Sequence, residues 1–110
     1  ERTKQFALRI IKMVDCLPNS HAGNAIAKQI VRSGTSPAAN YRAACVAKSQ
    51  KDFINKLKMV EEELDETIYW IELIMEANLI DCNRMLPLYN EAQELCRIVV
   101  SSITTAKRNV

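Results

Sequence analysis

Glycine and proline are scarce in this sequence, at two and three of 110 residues. So few turn formers exclude sandwiches and barrels, which turn back every few residues. Histidine occurs once, as His21, and no Glu stands three residues before it, so the Glu-x-x-His ligand sets of di-metal bundles are absent. No apolar run approaches the roughly 18 residues of a membrane span, and Glu1-Arg2-Thr3-Lys4-Gln5 does not read as a secretion signal. The first residue is not Met, so a few residues are expected to precede it. There is no phosphate-binding glycine loop, no G-x-S-x-G and no Cys–His pair with an orienting acid in register. An enzyme is not expected, and no cofactor or metal is implied.

Cys16, Cys45, Cys82 and Cys96 are spaced 29, 37 and 14 apart, with no C-x-x-C pair. That spacing does not suit zinc, and nothing else suggests a disulfide-forming compartment. They are expected to be small buried residues of a reducing cytoplasm.

What is present is apolar bulk and charge. The chain is 48% hydrophobic and 25% charged, enough for one soluble domain over residues 1–110 with a true core. The charge is unevenly spread. Residues 1–60 hold eleven Lys or Arg against three acids, net +8, and residues 61–110 hold four against ten, net −6. Such a split suits either nucleic acid on a basic face or neutralisation between helices, within or between subunits.

Apolar periodicity predicts four helices. Phe6, Ile10, Met13, Val14 and Leu17 mark the first, over 2–16, and Pro18-Asn19-Ser20 ends it. Ala25, Ile26, Ile30 and Val31 start the second, over 22–48. Ser49 with Asp52 resembles a capping box opening the third, over 50–78, about 43 Å long at about 1.5 Å per residue. Its seam is the clearest: Phe53, Leu57, Val60, Leu64, Thr67, Ile71 and Ile74, widened by Ile68, Trp70 and Met75. Leu88, Ala92, Leu95, Cys96, Val99, Ile103 and Ala106 mark the fourth, over 84–107, with Pro87 expected in its first turn. Four helices with short connections predict an all-α, antiparallel up-down-up-down four-helix bundle.

Residues 32–43, RSGTSPAANYRA, resist a helix by composition, yet a long loop there is uncommon in a compact domain. The economical reading is one helix kinked near Pro37, which cannot donate to the carbonyl of Ser33. Gly34, Ala38 and Cys45 lie at helical spacing and would admit a close neighbour. Asn40 is expected to hydrogen-bond a carbonyl or a neighbouring helix.

Candidate phosphate-contacting residues are Arg9, Lys12, Lys28, Arg32, Arg42, Lys48, Lys51, Lys56 and Lys58. Lys28 and Arg32 share one face of the second helix, and Lys51 and Lys58 lie seven apart on the third. No aromatic residue interleaves with them, so backbone rather than base recognition is indicated. The opposing reading pairs Arg32 and Arg42 with the acidic run Glu61 to Glu66, inside or across subunits. Complementary halves also suit a head-to-tail contact that closes into a ring. Glu62, Glu66 and Arg42 are the candidate interface residues.

Arg32-Ser33-Gly34-Thr35-Ser36, Ala39-Asn40-Tyr41-Arg42-Ala43-Ala44, Ser49, Asp52-Phe53-Ile54, Lys56-Leu57, Val60-Glu61-Glu62-Glu63, Asp65-Glu66-Thr67 and Tyr69-Trp70 resemble the signature of a bacterial family. It is the family of four-helix bundle proteins encoded in intervening sequences of 23S rRNA genes. The chain is also similar to the accessory variability protein of diversity-generating retroelements. Gly34, Ser36, Pro37, Asn40, Tyr41 and Trp70 form the structural part of the signature, although Pro37 replaces a small or β-branched residue. The resemblance implies a homopentamer without enzymatic activity. It also implies RNA or DNA, and a reverse transcriptase or other basic protein, as partners.

Overall fold

The computed structural model describes residues 1–109, which form four helices: α1 (Arg2–Val14), α2 (His21–Cys45), α3 (Gln50–Glu76) and α4 (Cys82–Arg108). They pack into an all-α bundle 47 Å long and 20 Å across. Ser20 caps α2 by accepting from the Gly23 amide at 3.1 Å, and Ser49 caps α3 by accepting from the Asp52 amide at 3.0 Å. α3 stops two residues short of the expected position because Asn78 turns left-handed, at φ 55°. The Leu79 amide then bonds the Ile74 carbonyl and the Asn78 amide the Met75 carbonyl, the paired closure of a Schellman motif. α2 likewise ends at Cys45, where the Val46 and Ala47 amides tighten onto Ala43 and Ala44.

Pro87 departs from expectation. α4 begins at Cys82, so Pro87 is its sixth residue, past the first turn. The amide it lacks would have met the carbonyl of Asn83, and both residues are exposed, so water can satisfy that carbonyl.

Each helix meets its sequence neighbour, and α1 touches α4 lightly to close the bundle. Partners across α2 and α3 include Ser33–Thr67 and Asn40–Glu63, and across α3 and α4 Glu72–Tyr89 and Gln50–Ala106. In both pairs of helices one number rises as the other falls. The core is the expected stripe: Leu57, Val60, Leu64, Ile71 and Ile74 of α3 are buried with Phe6, Ile10, Ile30, Leu95 and Val99. Met85, which precedes the periodic run, joins them.

The 32–43 stretch lies within α2, which is helical through Pro37. Ser33, Gly34 and Pro37 form a buried face. A Cβ on Gly34 would lie 2.8 and 2.9 Å from Cγ1 and Cγ2 of Ile10, closer than carbon atoms tolerate. Thr35 and Ser36 hydroxyls bond back to the carbonyls of Val31 and Arg32 at 2.6 and 2.7 Å. Asn40 donates to the Glu63 carboxylate at 2.7 Å, the interhelical partner expected of it. Of the three small residues, only Gly34 sits under a packed side chain in this way. Ala38 and Cys45 instead line an open groove between α1 and α2, together with Lys4, Tyr41 and Arg42.

Helix propensity alone favours Gly34→Ala by about 1 kcal/mol. Ile10 is fully buried and branched at the atoms the new methyl meets, so an overpacking cost of about 1–3 kcal/mol offsets that gain and leaves a net loss of up to about 2 kcal/mol. Chemical denaturation of Gly34→Ala, Ile10→Ala and the double variant should show a double loss smaller than the sum of the singles. Additive losses would show that the two residues do not share that space.

Candidate nucleic-acid interface

Helical geometry distributes the basic residues over several faces. Arg9 and Lys12 stand three apart on α1, on the side that meets α4. The first turn of α4 places Arg84 across from them. Between the two helices runs a groove of about 320 Å³, floored by Met13, Ile80, Met85 and Leu88. Arg84 Nη2 donates to Cys16 Sγ at 3.5 Å. Among the described residues, none of Arg9, Lys12 and Arg84 is ion-paired. Arg2 ties the start of α1 to α4 through two bonds to Glu91, at 2.7 and 3.1 Å, which raise its guanidinium pKa.

Arg84 escaped the sequence reading because it lies in the acidic half of the chain. An antiparallel α1/α4 pair would have pointed to it, since a residue early in α4 then faces the end of α1.

The other candidates scatter. Arg32 pairs with Glu66 of its own chain, and Glu66 also accepts from Trp70 Nε1 at 3.1 Å. The ion-pair reading therefore holds for Arg32 within the subunit. Arg42 makes no such pair within the subunit among the described residues, where it lines the α1/α2 groove beside Lys4, Glu1 and Tyr41. Lys28 borders a shallow depression on α2 with Asn24 and Gln29. Lys48 lies exposed in the α2–α3 connection, Lys51 is exposed in the first turn of α3, and Lys56 is half-buried. Lys58 sits among Glu61, Glu62 and Asp65, which compensate its charge.

The acids gather along α3. Glu61, Glu62 and Asp65, with Glu72 further along, border the grooves between α3 and α4. Arg97 offsets them little, because it bonds Glu94 at 2.8 Å and holds that carboxyl below its ordinary range. Glu62 is exposed, whereas Glu66 is already engaged by Arg32 and Trp70. Tyr69 is 53% exposed and meets the Trp70 ring edge-on at 5.1 Å.

The cysteines correct an expectation. Cys16, Cys45 and Cys82 are exposed and Cys96 is half-buried, all as free thiols. Three of them lie off the apolar stripes, where larger residues fill the core. Burial raises the Cys96 thiol pKa, and the carboxylates of Glu61 and Asp65 raise it further. Among the described residues, no three His, Cys, Asp or Glu side chains gather to hold a metal ion. None of these helices is long and apolar enough to cross a membrane.

The fold and surface define a four-helix bundle whose unpaired charges border its external grooves. The chain belongs to the 23S rRNA-intervening sequence protein family, whose model matches residues 1–101. It is similar to a crystal structure of a protein with unknown function from the S23 ribosomal protein family of Bacteroides thetaiotaomicron. That similarity has 37% identity and a TM-score of 0.87, and it covers 93% of this chain and 94% of the other. No curated protein matches the chain.

Thiolate, not thiol, attacks alkylating agents. At pH 8, iodoacetamide should therefore label Cys16, Cys45 and Cys82 well before Cys96, as read by peptide mass spectrometry. Labelling of Cys96 at the rate of the others would contradict its placement.

Proposed function

We propose that the protein is a non-enzymatic scaffold that assembles into a ring, a homopentamer, and binds RNA or DNA through phosphate contacts. The observation that supports binding is the convergence of Arg9, Lys12 and Arg84 on one groove, free of ion pairs among the described residues. Cations of this kind displace counterions from nucleic acid. Three per subunit bind weakly, and a ring multiplies them through avidity.

The ring reading is supported by unlike grooves. The order of helix neighbours sets the α1/α2 groove, with Lys4 and Arg42, across the bundle from the acidic α3/α4 grooves. Contacts between unlike surfaces run head to tail and close when the rotation allows. Glu61, Glu62 and Asp65 also favour a second reading, an adaptor ring that holds a basic protein such as a reverse transcriptase. Either role suits an accessory protein of the retroelement type that the sequence resembles.

Light scattering should give about 62 kDa, five copies of the 12.5 kDa chain. A 12.5 kDa species at micromolar concentration would reject the ring. Glu62→Lys should weaken assembly; Glu66 is a poorer probe because its loss also strands Arg32 and Trp70. In gel shifts at two salt concentrations, affinity should fall with a log–log slope near −0.9 per duplex phosphate contact. Arg9→Glu, Lys12→Glu and Arg84→Glu together should lower affinity at least tenfold and flatten that slope by roughly 2.7 per subunit engaged. No binding at about 50 mM salt would leave the adaptor reading.

A further inference from the structure

We propose that the α1/α4 groove seats one nucleotide of a single strand, so that the protein prefers single-stranded over duplex nucleic acid. This rests on the nucleic-acid reading above and adds to it a strand preference and a seat. Duplex backbone binding requires only cations spaced along a surface. Here the cations stand on both walls, Arg9 and Lys12 on α1 and Arg84 on α4, with the apolar side chains of Met13, Met85 and Leu88 between them. Phosphates suit the walls, and a base suits the half-buried Met13 between them, with Met85 and Leu88 buried beneath it. Methionine is well matched to that floor, because its polarizable thioether packs against aromatic rings and its flexible chain adapts to irregular gaps.

Size agrees. At about 320 Å³ the groove lies at the small end of ligand sites, which begin near 300 Å³. The opening follows from the fold: α1 runs antiparallel beside residues 84–91 of α4 but meets it only lightly. A duplex must unstack and flip a base to reach the floor, whereas a single strand offers its bases freely.

The test uses the full chain with fluorescent dT12 or U12 and with a 12-base-pair duplex, in anisotropy titrations at low salt. The single strands should bind at least tenfold more tightly. Met13→Gln, neutral and similar in size, should weaken single-strand binding severalfold and leave duplex binding within twofold. Bound single strand should also shield Cys16, which lines the groove, from N-ethylmaleimide, while Cys45 in the α1/α2 groove stays reactive. Equal affinity for both forms, with Cys16 unshielded, would overturn the inference and leave phosphate binding standing. A single-strand preference without Cys16 shielding would overturn the seat. No binding of either form would overturn both this inference and the reading beneath it.

Discussion

The bundle depends on how closely α2 lies between its neighbours at residues 33–37. On one side Gly34 leaves space that the branched carbons of Ile10 occupy. On the other, Ser33 and Thr67 hydroxyls meet at 2.9 Å, both fully buried. Thr67 also contacts the Glu63 carbonyl at 2.8 Å. A carbonyl only accepts, and a threonine hydroxyl has one proton, so Thr67 donates to Glu63 and Ser33 donates to Thr67. Neither hydroxyl is left without a partner, which matters because an unsatisfied buried hydroxyl costs about 1–3 kcal/mol. One four-residue step of α2 therefore sets its distance to α1 and its register on α3.

That register decides the surface charge. With Ser33 opposite Thr67, Arg32 reaches Glu66 and Asn40 reaches Glu63. The Glu66 carboxylate then also holds the Trp70 indole, which supports the exposed Tyr69 ring. These contacts are partly solvated, and each contributes little to stability. Their larger effect is to engage polar groups on the α2/α3 face. Of the remaining grooves, that between α1 and α4 is lined by unpaired cations, and those between α3 and α4 mostly by carboxylates.

The four helices and the α3 seam were legible because burial follows a 3.6-residue period, which a sequence displays directly. The role of Gly34 was legible for a related reason: a glycine on a buried helical face implies a close neighbour. The end of α3 was missed by two residues, since Asn78 in a left-handed conformation looks locally like any polar helix residue. The cysteines were misjudged because their type was weighed above their position off the stripes. The charge candidates were hardest. Spacing along one helix places Lys28 beside Arg32, but only the packing of α3 shows that Arg32 is engaged by Glu66. Likewise only the approach of α4 brings Arg84 to Arg9 and Lys12, which are over 70 positions away in the chain.

The interior is almost wholly apolar. Among the described residues its two buried polar side chains, Ser33 and Thr67, satisfy each other and a backbone carbonyl. Among the described residues the other buried side chains are apolar, and no buried polar side-chain atom lacks a partner. Such a core holds helices in place. The surface is shaped by the grooves between helices, and these are unequal. Where α2 packs on α1 and α3 the geometry is fixed by Gly34 and by the Ser33–Thr67 contact. Where α1 meets α4 the contact is slight, so the cationic walls and the half-buried Met13 stand open above a buried apolar floor. The close packing on α2 and the open groove on α4 are two sides of one arrangement: a first helix drawn tightly onto α2 meets α4 only lightly.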